Sequence, residues 1–168
     1  MRRLALLLWL CCCVGIAGAA TQYGEIFVVI DGDTVLFKPE SARGSRRFLK
    51  LRLVGIDAPE QQQAHGDVAT QTLSRWVLNQ RVQIDTQGRD TYGRTLARIA
   101  RDGRDINLEL VREGHAWASG YRRPAADLRA AQHAARTARL GLWRTSAPMP
   151  PWQWRRTHQN VNPASASK

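Results

Sequence analysis

The spacing of apolar and polar positions changes period several times along the chain, and each change predicts an element. From Glu25 to Ile30 almost every residue is apolar, the pattern of a strand buried on both faces. Asp31-Gly32 breaks the run, and an Asp-Gly step between two apolar stretches predicts a hairpin whose returning strand is Thr34 to Lys38. Pro39 to Arg46, with Pro, Gly and Ser, reads as a loop carrying Arg43, with Arg46 and Arg47 at its end. Leu49, Leu51 and Leu53 then alternate with Lys50 and Arg52, so the leucines face a core and Arg52 faces solvent or a groove. Arg52 and Asp57 are an odd number of positions apart and would point to opposite faces of a straight strand. Gly55 is the natural place for the chain to bend between them, and Pro59 ends the strand.

The period then lengthens. Val68 to about Asn79 places Ala69, Leu73, Trp76 and Val77 on one helical face, with Asp67 as N-cap. Arg81 to Thr86 alternates as a fourth strand, Gly88 to Gly93 is a polar loop, and Arg94 to Arg101 is a fifth strand ending at an Asp102-Gly103 turn. Asp105 can cap a short helix that runs to Glu113 and stops at Gly114. A last helix opens at Pro124 and ends before Gly141. Its buried stripe is Leu128, Ala131, Ala135 and Ala138, and Arg129, His133, Arg136 and Arg139 form a solvated face. Five strands, with one helix after the third and two after the fifth, predict an α+β, mainly β-barrel class: a five-stranded OB-fold Greek-key barrel with three helices.

The ends lie outside this domain. Met1-Arg2-Arg3, the apolar run Leu4 to Val14 and the small residues Gly15 to Ala20 read as a signal peptide over residues 1–20, cut after Ala19 or Ala20. Residues 21–145 form the folded domain. Residues 146–168 form a C-terminal extension, partly disordered, from which Trp152 and Trp154 pack back on the body. Cys11, Cys12 and Cys13 all lie in the leader, so the mature chain has no disulfide, thiolate chemistry or zinc-cysteine site. The expectation is a periplasmic or secreted monomer with no membrane attachment after cleavage.

Charge narrows the partner. The chain has 25 Lys and Arg against 14 Asp and Glu, a net +11, and the leader removes only Arg2 and Arg3 from that excess. Such a surface suits a polyphosphate backbone or another anionic polymer. Against it stand carboxylates at the ends of apolar strands: Asp31, Asp33, Asp57 and Glu60. A folded chain keeps such groups wet, pairs them with cations or uses them to hold a metal. Singly, each has an ordinary reading as a turn residue or surface charge. For the carboxylates taken together a metal is the sharper reading, since hard oxygen ligands suit calcium or magnesium. His65, His115, His133 and His158 show no ligand spacing, and Trp117 and Trp143 read as core.

Three segments, Ile30-Asp31-Gly32-Asp33-Thr34, Arg52 to Glu60, and Asp90-Thr91-Tyr92-Gly93-Arg94-Thr95-Leu96-Ala97, resemble the signature segments of the thermonuclease, or staphylococcal-nuclease-like, family. The resemblance runs from about Tyr23 to Trp143. It implies that Asp33 and Asp57 are carboxylate ligands of Ca2+, with Mg2+ as the alternative, that Ala58 offers its backbone carbonyl, and that Asp31 and Glu60 reach the metal through water. It implies phosphate contacts from Arg52 and Arg94, a general base in Glu60, and substrate binding by Tyr92 and Tyr121, the latter near but out of register with the family's tyrosines. Gln61 to His65 is shorter than the lysine-rich loop of the best-known member. The implied activity is a metal-dependent endonuclease acting on single-stranded or locally opened DNA and RNA with low sequence specificity, leaving 3′-phosphate ends. The alternative is a non-catalytic OB-fold nucleic-acid-binding module, which would need the arginines but not the carboxylate pair.

Overall fold

The computed structural model describes residues 21–41, 48–120 and 124–158. The expected leader, the loop arginines Arg43, Arg46 and Arg47, and Tyr121 lie outside the described residues. Strand β1 (Thr21–Asp31) runs antiparallel to β2 (Thr34–Pro39), and the hairpin turn consists of Gly32 and Asp33, because Asp31 already pairs with Thr34. Strand β3 (Leu49–Leu53) continues antiparallel to β2, and a short β4 (Ile56–Asp57) follows the Val54-Gly55 bend. Helix α1 (Gly66–Val77) leads to β5 (Arg81–Arg89) and β6 (Thr95–Arg101), then β7 (Arg104–Asp105) and helix α2 (Ile106–Arg112). Strand β8 (Trp117–Ala118) pairs with β4; helix α3 (Ala126–Thr137), a 3-10 turn (Gly141–Arg144) and helix α4 (Pro151–His158) complete the described chain.

The main sheet runs β3-β2-β1-β5-β6-β7, and a parallel pairing of β3 with β6 (Leu51 opposite Thr95, Leu53 opposite Ala97) closes β1, β2, β3, β5 and β6 into the expected five-stranded OB-type barrel. Its interior is filled by Ile26, Val35, Phe37, Leu51, Leu53, Ile84, Ala97 and Ile99. Leu73 and Val77 of α1, Leu110 and Val111 of α2 and Leu128 of α3 extend this core to the helices. Burying each such side chain contributes about 1.5–3 kcal/mol before conformational entropy is set against it. Asp105 caps α2 as expected, its Oδ1 accepting from Leu108 N–H at 3.0 Å.

Several expectations are corrected. Among the described residues there are four α-helices, because residues 151–158 of the expected extension fold as α4. β1 is not buried on both faces: Ile26 is buried, but Phe27 points outward and packs beside Phe48 with ring centroids 5.3 Å apart. Asp67 lies in the first turn of α1 and does not cap it; the N-cap is His65, whose side chain makes no capping bond. Gly88 and Arg89 extend β5 instead of opening a loop. Pro124 precedes α3 by two residues, and Ala138, just past its end, is exposed. Arg136 is exposed, as expected of the basic face, and its guanidinium also lies 4.9 Å from the Trp117 ring centroid and 4.1 Å from that of Trp143, over the second core cluster. Among the described residues no helix is long and apolar enough to cross a membrane.

Candidate active site

The bend at Gly55 makes the site. Its φ of +80° is one that residues with a Cβ rarely adopt, and a Cβ there would stand 2.7 Å from Leu128 Cδ1. The reversal turns β4 so that Asp57 comes back to the side of β3 carrying Arg52, which resolves the parity conflict in the sequence. The β1–β2 turn lies beside them, because Thr34 is paired with Arg52 across the β2–β3 ladder. Asp33 and Asp57 are therefore neighbours although they belong to different hairpins, and both are buried, at 6% and 4% exposure.

Arg52 holds the two together. Its Nη2 lies 3.0 Å from Asp33 Oδ2 and 2.9 Å from Asp57 Oδ1, while Nη1 donates to the carbonyls of Leu53 at 2.8 Å and Ile56 at 3.0 Å. Asp33 Oδ2 also accepts the Ala58 N–H at 2.8 Å, so the contact Ala58 makes here is through its N–H. Thr34 Oγ1 donates to Asp33 Oδ1 at 3.1 Å, and Asp31 Oδ1 accepts the Asp33 N–H at 2.9 Å. Burial, helped by the charges of Asp31 and Asp57, pushes the Asp33 carboxyl up to about 7 against the pull of Arg52. The site thus concentrates more negative charge than one arginine neutralises.

Glu60 sits on a tight loop clamped to the start of α1. Gln63 N–H donates to the Glu60 carbonyl at 2.8 Å, and the buried Gln63 side chain accepts from the Glu60 N–H at 3.1 Å. Gly66 permits the crossing, since a Cβ there would fall 1.9 Å from the Glu60 carbonyl oxygen. The Gln63 amide also donates to Met149 O at 2.6 Å and so ties this loop to the segment that enters α4. From α4, Arg155 reaches into the site: Nη2 is 2.9 Å from Asp57 Oδ2, and Nη1 is 3.1 Å from Asp57 Oδ1 and 2.7 Å from Glu60 Oε1. Its hydrogen bonds to Asp57, then those to Glu60, hold the guanidinium above its ordinary range.

The remaining wall comes from the β5–β6 loop. Asp90 accepts the N–H groups of Tyr92 and Arg94, each at 2.9 Å, and binds Arg94 Nε at 2.6 Å, which fixes that arginine at the cleft. Arg94 also lies 5.5 Å from the centroid of the exposed Tyr92 ring. Asp31, Asp33, Arg52, Glu60, Tyr92 and Arg94 all line one cleft of about 620 Å³, together with Lys50 and Arg155. Asp57 does not line the cleft itself but is ion-paired to two residues that do, Arg52 at 2.9 Å and Arg155 at 2.9 Å. The structure therefore brings together every predicted site residue except Tyr121, which lies outside the described residues. Among the described residues, no three His, Cys, Asp or Glu side chains gather as a metal cage.

Sequence reasoning missed Gln63, Asn107 and Arg155. Asn107 is buried, accepting from Ile99 N–H at 3.1 Å and donating to Val54 O at 2.9 Å and Ala97 O at 3.2 Å, so it fixes the bend that carries Asp57. None of the three has a pattern around it; the one hint for Arg155 is its place beside Trp152 and Trp154. The histidines stay outside the cleft, with His65 Nε2 and His115 Nδ1 in hydrogen-bond contact at 3.0 Å.

Comparison with known proteins agrees with this geometry. Residues 50–145 match the family described as staphylococcal nuclease homologue. An uncharacterized endonuclease of Escherichia coli is 36% identical over 137 residues, 81% of this chain and 86% of its own length. A micrococcal nuclease of Shigella flexneri is 35% identical over 159 residues, 88% of each chain. An uncharacterized endonuclease of Haemophilus influenzae is 38% identical over 142 residues, 83% of this chain and 76% of its own. With the barrel, the carboxylate pair and the arginines already in place, the chain belongs to the staphylococcal nuclease family.

Proposed function

We propose that this nuclease hydrolyses phosphodiester bonds of DNA and RNA with low sequence specificity, that it uses a hard divalent cation, Ca2+ or alternatively Mg2+, and that it leaves 3′-phosphate ends. The observation that carries this reading is the convergence of Asp33, Asp57, Glu60, Arg52 and Arg94 at one basic-walled cleft. A pure binding module has no use for buried carboxylates at the point where a phosphate would approach.

The donor set fits such a cation. Asp33 and Asp57 are hard oxygen donors, both buried and brought to the same Arg52 Nη2 at 3.0 and 2.9 Å. Asp33 and Asp57 would hold the ion with the Ala58 carbonyl, and Asp31 would reach it through water. When bound, the cation supplies Lewis-acid polarisation of a phosphoryl oxygen. The protein's own groups do the rest. Glu60, half-exposed at the cleft, takes the proton of the attacking water. Arg94, whose Nη groups are left for substrate because Nε is held by Asp90, meets the charge that develops on phosphorus, and Arg52 reinforces it from below. Tyr92, an exposed ring lining the cleft, is the group on which a base would stack.

The proposed substrates are single-stranded or locally opened DNA and RNA, and the proposed form is a monomer in the periplasm or outside the cell, free of its leader. The test is to incubate the purified protein with single- and double-stranded DNA and RNA, in calcium, in magnesium and in chelator, and to identify the ends formed. Cleavage that needs a divalent cation and leaves 3′-phosphates is expected. Tight binding without cleavage under either cation would make the binding module the better reading.

A further inference from the structure

Arg155 belongs to none of the roles above, yet it makes three hydrogen bonds to the two carboxylates the chemistry needs most. It comes from beyond residue 145, where the match to the family ends. Its position differs from that of Arg52. Arg52 is buried and anchored to two backbone carbonyls, so it is part of the floor. Arg155 is 37% exposed, and its hydrogen bonds all go to Asp57 and Glu60. The first turn of α4 is anchored independently: Pro151 is buried, Met149 O is held by Gln63, and Trp152 meets the edge of Trp117 at 5.4 Å. The guanidinium can therefore leave while the base of its helix stays docked.

We propose that Arg155 is a built-in competitor of the divalent cation, a latch that occupies Asp57 and Glu60 until cation loading expels it. The inference rests on the cation reading above. Both oxygens of Asp57 accept from Arg155, and Oδ1 accepts from Arg52 as well, so a cation approaching Asp57 meets a carboxylate with three of about four lone-pair sites taken, and a like charge beside it. Glu60 Oε1 accepts from the same guanidinium at 2.7 Å, so that oxygen is occupied as well. Release of one side chain thus frees a ligand and the base together, and the latch keeps the nuclease quiet where divalent cations are scarce.

The test is calcium binding by calorimetry with the purified protein and its Arg155→Ala, Arg155→Lys and Arg156→Ala variants, alongside hydrogen exchange of α4. Loss of a charge-assisted fork should tighten calcium binding about ten- to a hundredfold in Arg155→Ala. Arg155→Lys, which keeps the charge but not the fork, should fall between, and the exposed neighbour Arg156→Ala should match the wild type. Calcium should speed amide exchange in the last turn of α4 of the wild type, and Arg155→Ala should show fast exchange without it. Equal calcium affinity of wild type and Arg155→Ala within twofold, or α4 exchange indifferent to calcium, overturns the latch alone. Absence of calcium binding to every variant at millimolar concentration overturns the cation reading and the latch with it.

Discussion

Replacing Arg52 by Ala removes the group that makes two buried carboxylates tolerable. Asp33 loses a partner at 3.0 Å and Asp57 one at 2.9 Å, and the carbonyls of Leu53 and Ile56 lose their donor. Breaking a buried ion pair by deleting one member costs about 3–5 kcal/mol, because the other charge stays buried. Two features lower the figure. Arg155 still holds Asp57, and Asp33, already pushed up to about 7, takes up a proton at little cost near neutral pH. We expect a loss of about 3 kcal/mol at pH 7, a fall in Tm of roughly 10 °C for a domain of this size. Arg52→Lys keeps the charge but cannot serve both carbonyls and both carboxylates, and should lose about half as much. Urea unfolding followed by circular dichroism in chelator measures both. The cleavage rate should fall about a hundredfold or more in each, since a charge-stabilising donor has gone. Arg52→Ala within 1 kcal/mol of wild type would show that the carboxylates do not depend on it, and the electrostatic account of the site would fail.

Glu60→Gln and Arg94→Ala should each lower cleavage about a hundredfold or more, with Glu60→Gln binding single strands at least as well as wild type; the exposed Arg81→Ala, paired with Glu40, should change little. Near wild-type rates in both site variants would move the activity elsewhere. Burial, then the charges of His65 and Arg75, lower His115 to about 4. Between pH 6.5 and 4 the unfolded chain therefore binds a proton that the folded chain refuses, so this group's contribution is complete above 6.5 and is lost as pH falls toward 4. Its size is roughly 1–3 kcal/mol after allowance for partial exposure, read as the difference in pH profile between wild type and His115→Gln; parallel profiles would contradict it. Asn107→Ala strands Ile99 N–H and the Val54 carbonyl, while Ala97 O keeps the Val54 N–H at 2.9 Å, and should cost about 3 kcal/mol in urea unfolding; a loss under 1 kcal/mol would mean that water replaces the side chain.

What could be read from sequence was whatever is encoded locally. The Asp-Gly step, the alternating leucines of β3, the glycine that had to bend the chain before Asp57 and the Asp105 cap all express short-range sterics and hydrogen bonding, and all appear in the fold. Phe27 was misplaced because an apolar run does not say which face of a barrel strand meets the core and which meets only a neighbour such as Phe48. α4 was missed for a different reason. Its eight residues, with two tryptophans and two arginines, have no helical stripe, and a helix so short is held by contacts with Trp117, Gln63 and Asp57, far away in the chain. The same distance hid Arg155: nothing beside it in sequence shows that it ends on Asp57. The site residues of the hairpin and of β3 and β4 were legible because their motifs are contiguous, whereas Gln63 and Asn107 act by bonding backbone groups and leave no pattern.

The parallel seam between β3 and β6 carries a consequence for how the molecule acquires its chemistry. The hairpins on either side can form from neighbouring residues, but Leu51 meets Thr95 only when the intervening helix and strand are in place, and such long-range pairings are the slow part of folding. Until that seam closes, the turn bearing Asp33 exists without the loop that carries Arg94, and the bend before Asp57 lacks the Ala97 carbonyl that holds Asn107 beneath it. Cutting power is therefore all or none with respect to the barrel. On refolding from urea, activity should return with the slowest phase seen by tryptophan fluorescence, and its return in an earlier phase would mean that the seam is dispensable.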